Sequence, residues 1–181
     1  MNVPSSTAPA AAAASTASAA GPAAAAPLSG AELDSLRARF ALDRYATDRT
    51  GARIDKVVPP QRPGDLAPEV VCSLDLDEGH RNATGGVMGG VSFTLADFVF
   101  AVASNGFEGD SGTVTGAASI QFAGAPRGSR LVATGRPLRA GRTAAFYEVR
   151  VEDDTGRLVA VANLTGFRSP NIPKPPQNPD K

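Results

Sequence analysis

The first periodic pattern of apolar residues along the chain has helical spacing. Ser29 and Glu32 form a Ser-x-x-Glu capping box, which marks the beginning of a helix. The apolar positions that follow are Leu33, Leu36 and Phe40. We therefore predict an amphipathic helix over about residues 30–45. Its charged face is expected to carry Glu32, Asp34, Arg37 and Arg39.

Six other segments have the composition and alternation of β-strands. They are residues 52–58, 70–76, 113–122, 130–138, 143–151 and 157–167. Asp153-Asp154-Thr155-Gly156 predicts a hairpin turn before the last of them. Strands that follow one another through hairpins predict an antiparallel sheet. In the third strand the alternation places Val114, Gly116, Ala118, Ile120 and Phe122 on one face.

Residues 89–103 differ from both patterns because they are apolar on every side. Ser92, Thr94 and Asp97 are the only polar side chains of the segment. At about 15 residues it is too short to cross a bilayer, so we predict a helix that is buried on all sides. A curved antiparallel sheet wrapped around this helix would accommodate both patterns, which gives an α+β fold.

The two ends of the chain differ in composition from the segment between them. Residues 1–28 are small and uncharged and lack apolar periodicity, so we expect them to be disordered. Residues 169–181 contain five prolines and are expected to be extended and solvated. Residues 29–168 remain as one domain of ordinary size.

The charge balance and the single cysteine narrow the range of partners. Eighteen basic residues match eighteen acidic ones, which is poor evidence for a nucleic-acid or membrane partner. Cys72 permits no intrachain disulfide and fits a reducing compartment, so we expect a cytoplasmic protein. Its position on an apolar strand face favours a core residue over a nucleophile. One histidine and one cysteine do not make a metal-ligand set, and we expect neither metal nor cofactor.

A short signature precedes and enters the apolar helix. It consists of Asn82, then Met88-Gly89-Gly90, then Leu95-Ala96-Asp97. In these elements residues 79–105 resemble the phenylacetate-pathway (PaaI-like) thioesterases of the hotdog superfamily, and the resemblance extends over about residues 43–168. Many members of that family have histidine where this chain has Met88. The only histidine, His80, lies before Asn82 and is expected at the surface.

The resemblance implies a fold, an activity and an assembly. The fold is the hotdog, a sheet wrapped around a helix, which forms a homodimer or a dimer of dimers. The activity is hydrolysis of acyl-CoA thioesters. Asp97 would serve as general base or nucleophile, the Gly89 N–H would polarise the thioester carbonyl, and Asn82 would orient water or substrate. Activation of water and direct attack through an anhydride both remain open.

Elementary chemistry agrees with these roles. A helix N-terminus offers free N–H groups, glycine lets a carbonyl approach them, and a carboxylate among apolar groups is a stronger base than a solvated one. Gly89 and Asp97 are eight residues apart, which is about 12 Å along a helix. One carbonyl carbon cannot reach both in one chain. We therefore predict that each site is shared between two subunits.

Further residues are candidates for substrate contacts. Gly90, Met88, Phe93 and Phe98 are expected near an apolar or aryl acyl group. Residues 127–142 contain five arginines, at positions 127, 130, 136, 139 and 142, and no acidic residue. We select Arg127 and Arg130 as candidates for contacts with the phosphates of coenzyme A. A hotdog hydratase would need a well-placed histidine. A non-catalytic module that binds or senses acyl-CoA is the alternative that stays open.

Overall fold

The structure is a computed structural model that describes residues 25–107, 109 and 111–176. Its elements in chain order are α1 (Gly30–Phe40), a π-helical turn (Tyr45–Arg49), β1 (Arg53–Val58), β2 (Glu69–Asp75), a 3-10 turn (Glu78–His80), α2 (Gly89–Asn105), β3 (Gly112–Phe122), β4 (Arg130–Ala140), β5 (Ala144–Asp153) and β6 (Leu158–Ser169). The expectations for residues 1–24 and 177–181 lie outside the described residues. No helix in the described ranges is long and apolar enough to span a membrane.

The six strands form one antiparallel sheet with the order β1-β2-β4-β5-β6-β3. Helix α2 packs against every strand from β2 to β6, so the sheet wraps around it. The predicted hotdog architecture is confirmed. The expectation that successive strands pair fails at β3, which lies at the sheet edge beside β6, whereas β4 lies between β2 and β5. Residues 123–129 must therefore cross the end of the β5–β6 hairpin.

Two glycines on the inner face of the sheet let α2 approach closely. A Cβ atom at Gly135 of β4 would lie 2.4 Å from Cγ1 of Val99 and 2.6 Å from Cε1 of Tyr147. A Cβ atom at Gly166 of β6 would lie 2.5 Å from Cζ of Phe100. The Val99, Phe100 and Tyr147 side chains are almost fully buried, and the Tyr147 hydroxyl donates to the Ala67 carbonyl at 2.9 Å. The core is thus fitted around the helix at these two positions.

Helix α1 starts as the sequence predicts but ends earlier. The Glu32 carboxylate accepts the Ser29 N–H at 2.9 Å, and Leu33, Leu36 and Phe40 are buried. The helix stops at Phe40 instead of residue 45. Arg39, expected on the charged face, is instead buried, and its guanidinium donates to the carbonyls of Gly106 at 2.9 Å and Asn105 at 3.4 Å. The last carbonyls of α2 need such donors because they have no partner within their own helix.

Strand β3 contains an irregularity that changes which residues face α2. The pairing with β6 shifts between Thr115 and Ala117. Before the shift Thr113 and Thr115 contact α2 residues, and after it the Phe122 ring contacts α2 at Gly89. Val114 is 48% exposed, on the opposite face. The single face predicted from Val114 to Phe122 is therefore wrong, because a bulge inserts a residue and turns over the alternation.

The close approach at Gly135 gives the first prediction. We expect Gly135→Ala to lower the free energy of unfolding by about 1–3 kcal/mol, because the added methyl overpacks Val99 and Tyr147. Urea denaturation followed by circular dichroism measures this. Gly30→Ala is the control, since nothing lies within 4 Å of a Cβ atom there and alanine favours the helix. Equal stability of the Gly135 variant and the wild type would contradict the packing argument.

Candidate active site

Asp97 lies midway along α2 and is only half-buried. The Thr115 hydroxyl on β3 donates to Asp97 Oδ1 at 2.7 Å, which leaves the second carboxylate oxygen without a hydrogen bond among the described residues. Thr115 was not a predicted site residue. Nothing in the local alternation identifies it, because only the bulge in β3 turns its side chain towards the helix. The hydrogen bond from Thr115 thus fixes the orientation of the Asp97 carboxylate, which is partly exposed.

The face of α2 around Asp97 is uncovered in the single chain. Phe93, Thr94 and Ala101 are partly exposed, like Asp97, whereas the rest of the helix from Val91 onward is buried. The prediction of a helix buried on all sides is therefore wrong for one chain. The open stripe lies next to β3, a strand that has a neighbour on only one side. Asp97 thus lies on a surface of α2 that the rest of the chain leaves open.

The N-terminus of α2 forms the second candidate half-site. Met88 is the N-cap residue and Gly89 the first helical residue, whose N–H precedes the intrahelical bonds. A pocket of about 520 Å³ opens here. It is lined by Val87, Gly89, Ser92, Phe122, residues 123–126 and Val159. A Cβ atom at Gly89 would lie 2.8 Å from Cζ of Phe122, so a larger residue there would displace that exposed ring. Phe122 and Ser92 join the site without having been predicted for it.

Asn82 organises the loop that leads into α2. Its side-chain oxygen accepts the N–H groups of Thr84 at 3.0 Å and Gly86 at 3.1 Å, and also the Thr84 hydroxyl. The Asn82 side chain is exposed, and its side-chain nitrogen, Nδ2, has no hydrogen bond within the described ranges. The oxygen is thus engaged in the turn, and the NH2 group stays available as a donor. Its role towards water or substrate stays a prediction.

The predicted apolar contacts separate into two groups. Met88 is 55% exposed, and Gly90 and Phe93 also lie on the open side of α2. Phe98, in contrast, is 2% exposed and packs edge-on against Phe40 of α1, with ring centroids 6.0 Å apart. The Phe98 ring is committed to the core between the two helices because the next residue after Asp97 points to the other side of α2. It contributes no surface to the pocket at Gly89.

Of the two predicted phosphate contacts, one arginine is already paired. Arg130 Nε donates to Asp75 Oδ1 at 2.7 Å, across the β2–β4 pair. Arg127 is exposed, directly follows the pocket residue Pro126, and has no side-chain partner in the part of the chain that the structure describes. Arg127 is therefore the better placed of the two.

The remaining reactive side chains are not part of either half-site. His80, expected at the surface, is 6% exposed because its Nδ1 accepts the Asp77 N–H at 3.0 Å and holds the ring inside the loop. Cys72 is a buried core residue, and burial raises the pKa of its thiol, which makes it a poor nucleophile. No group of three or more potential metal ligands occurs among the described residues.

A larger pocket, of about 780 Å³, lies elsewhere, along β1, β2 and the end of β4. It contains none of the predicted site residues. Its walls are mostly apolar, with Pro27, Leu66 and Leu138 among them, and its Lys56 and Glu69 pair with each other at 2.7 Å. Its Glu69 carboxylate also pairs with Arg136 at 2.7 Å.

The segment that crosses the hairpin, residues 123–129, forms one wall of the pocket at Gly89. The Asp153 carboxylate, itself buried, accepts the N–H groups of Arg127 at 2.7 Å and Gly128 at 3.2 Å. Its other oxygen accepts the hydroxyl and the N–H of Thr155. The Thr155 hydroxyl, followed by the backbone N–H groups, holds the pKa of Asp153 well below its usual range.

Comparison with known proteins concerns the fold and the reaction class. Residues 84–160 match the family described as the thioesterase superfamily. A protein of Archaeoglobus fulgidus named only provisionally as an esterase is 28% identical over 124 residues, covering 68% of this chain and 77% of that protein. The crystallographic PaaI protein of the Escherichia coli phenylacetic acid degradation operon has a TM-score of 0.59 at 21% identity, covering 79% of this chain and 98% of that one.

A third similar structure carries a ligand. It is a hypothetical thioesterase of Streptococcus pneumoniae with coenzyme A, with a TM-score of 0.56 and 21% identity over 72% of this chain and 96% of that one. Both structures share the hotdog fold of this chain. The match of residues 84–160 to the thioesterase superfamily supports the prediction of a thioester hydrolase.

The low pKa of Asp153 gives a prediction about pH. Because the folded-state pKa lies below the unfolded value of about 3.9, the stabilisation is complete above that value and is lost as the pH falls through the folded-state pKa. The difference in free energy of unfolding between wild type and Asp153→Asn should therefore be largest near pH 7 and shrink below about pH 4.

Urea unfolding between pH 7 and pH 3 measures this difference. Asp34→Asn is the control, because that exposed carboxylate on α1 should contribute less than about 0.5 kcal/mol at every pH. A difference for Asp153→Asn that stays constant over the whole range would show that its ionised carboxylate does not stabilise the fold.

Proposed function

We propose that this protein is an acyl-CoA thioesterase that releases an apolar or aryl acid and free coenzyme A. The observation that carries the proposal is the half-buried Asp97 on the open face of α2, oriented by Thr115. The family match supports the reaction class. The similar structure that contains coenzyme A supports the substrate class. The exposed Met88 and the partly exposed Phe93 offer apolar surface for the acyl group.

The reaction needs a base or nucleophile and a donor for the developing oxyanion. The Gly89 N–H, at the positive end of the α2 dipole, would bind the thioester oxygen. Asp97, held through one oxygen by Thr115, would use the other to take a proton from water as it adds to the carbonyl. Collapse of the intermediate breaks the C–S bond, and the leaving thiolate takes up a proton. Direct attack by Asp97 would give an anhydride that water then opens.

We further propose that Gly89 and Asp97 of one site belong to different subunits. Two turns of helix and about 12 Å separate them within a chain, which is too far for a single carbonyl carbon. The uncovered stripe of α2 lies beside β3, which has a free edge of eleven residues. Such an edge is usually paired or covered in native proteins. A second copy at β3 would cover the stripe and bring its own α2 N-terminus near Asp97.

The activity is tested by thiol release from a panel of acyl-CoA thioesters. We expect turnover with apolar and aryl acyl groups, and a loss of about 10²–10⁴-fold in kcat/KM in Asp97→Ala, because the base or nucleophile is removed. Asp48→Ala, which removes an exposed carboxylate near α1, should keep wild-type activity. Binding of acyl-CoA without turnover of any panel member would favour the non-catalytic binding module instead.

The shared site is tested with two inactive variants. Gly89→Pro removes the backbone N–H. Proline is tolerated at the first position of a helix, and the preceding residue, Met88, already has the extended backbone that proline requires. When equal amounts of the Gly89→Pro and Asp97→Ala proteins exchange subunits, half of the dimers are hybrids. Each hybrid has one intact site and one site that lacks both groups. About one quarter of wild-type activity should return.

The matched control is Gly89→Ala, which crowds the Phe122 ring but keeps the N–H. Activity in Gly89→Ala well above that of Gly89→Pro would assign the effect to the lost donor. If mixing the two inactive proteins restores nothing after subunit exchange is verified, both groups act within one chain and the proposal of a shared site is wrong.

A further inference from the structure

The crossing segment, residues 123–129, is fastened almost entirely by the β5–β6 hairpin. Asp153 holds the N–H groups of Arg127 and Gly128, and Asp154 accepts the N–H and the hydroxyl of Ser129 at 3.1 and 2.9 Å. Arg157 Nε donates to the Ala125 carbonyl at 3.0 Å. A seven-residue connection thus has anchors at four residues from one turn, which is more than chain connectivity requires.

The fit between segment and turn is close. A Cβ atom at Gly128 would lie 1.5 Å from Oδ1 of Asp154, and one at Gly124 would lie 3.0 Å from Nη2 of Arg157. The N–H groups of Ala123 and Gly124 also donate to the Val159 carbonyl, at 2.8 and 3.3 Å. The path of the segment is therefore fixed from end to end.

Arg127 is the one cation of the segment, and its side chain is unpaired within the described ranges. Its own backbone N–H is the group that Asp153 holds most closely, at 2.7 Å. The preceding residues 123–126 line the pocket that contains Gly89. A substrate whose thioester lies at Gly89 would extend its leaving group along this wall. The leaving group would then pass the guanidinium of Arg127, whose backbone is held in place by Asp153. Guanidinium groups bind phosphate well, often through two hydrogen bonds.

We propose that Asp153 is a positioning residue for coenzyme A, because it fixes the segment from which Arg127 contacts a phosphate of the nucleotide. This rests on the proposed function, since it concerns the leaving group of the same reaction. Asp153 itself does not touch the substrate. The carboxylate acts through the backbone of Arg127 and thereby determines how well the enzyme distinguishes a nucleotide-bearing thioester from one that ends at pantetheine.

The test compares acyl-CoA with the acyl-pantetheine thioester of the same acid, which lacks the phosphates of the nucleotide. Arg127→Ala should raise KM for acyl-CoA about tenfold and leave KM for acyl-pantetheine unchanged, because one charge-assisted contact is lost. Asp153→Asn should have the same selective effect. The double variant should show little more than either single one, since both changes remove one contact.

Two controls separate positioning from folding. Leu36→Ala, in the core of α1 and far from the segment, lowers stability and should affect both thioesters equally. Arg150→Ala removes an exposed strand arginine that pairs with Glu152 and should affect neither. If Asp153→Asn fails to fold, Asp154→Asn releases only Ser129 and serves in its place, with a smaller increase of the same selectivity.

The outcomes are distinct. Equal losses on both thioesters in Asp153→Asn, or equal KM values for both in the wild type, would overturn the positioning role while leaving the thioesterase activity in place. Absence of turnover in the wild type would instead count against the proposed function. Calorimetric affinities for coenzyme A and pantetheine would then decide the positioning role, which predicts a preference for coenzyme A that Asp153→Asn removes.

Discussion

The fit of one apolar helix against the inner face of the sheet is the constraint on which the structure depends. Helix α2 comes so close to β4 and β6 that Gly135 and Gly166 have no room for a methyl group. Every strand from β2 to β6 contacts the helix, so its position is determined by most of the fold at once. A helix placed in this way carries its N-terminus and its central carboxylate as fixed points.

Those two fixed points explain why assembly and chemistry are connected in our proposal. The Gly89 N–H donor and the Asp97 carboxylate lie on the same helix, α2, two turns apart. The fold therefore cannot adjust their separation, and in our proposal a second copy supplies the complementary group. The incomplete burial of α2 beside β3 is the structural counterpart of that requirement. The apolar surface that a single chain leaves uncovered coincides with the surface on which the chemistry is proposed.

The sequence predicts the elements well because their periodicity is local. The capping box at Ser29, the apolar α2 and all six strands have the expected positions, within a few residues. The positions of Gly89 at the start of α2 and of Asp97 within it also follow from the sequence. These features depend on neighbours in the chain, which a pattern of residues records directly.

What the sequence does not predict depends on distant partners. Thr115 reaches Asp97 only because β3 bulges, and Arg39 is buried only because the last carbonyls of α2 lie beside it. Phe98 belongs to the core because α1 covers that side of the helix. The position of β3 beside β6 is likewise a property of the whole sheet. None of these facts changes the local pattern of polar and apolar residues, so no reading of that pattern contains them.

The anchoring of the crossing segment also bears on how such a pocket changes in evolution. Nearly all its anchors hold backbone atoms, from Ala123 to Ser129, whereas the residues that line the pocket there are the small ones from Ala123 to Pro126. The backbone path of this segment is thus largely independent of the side chains that it presents to the pocket. Substitutions at Ala123 or Ala125 could enlarge, narrow or polarise the cavity while the scaffold keeps its path. The shape of this pocket and the stability of its wall therefore depend on different groups and can change separately.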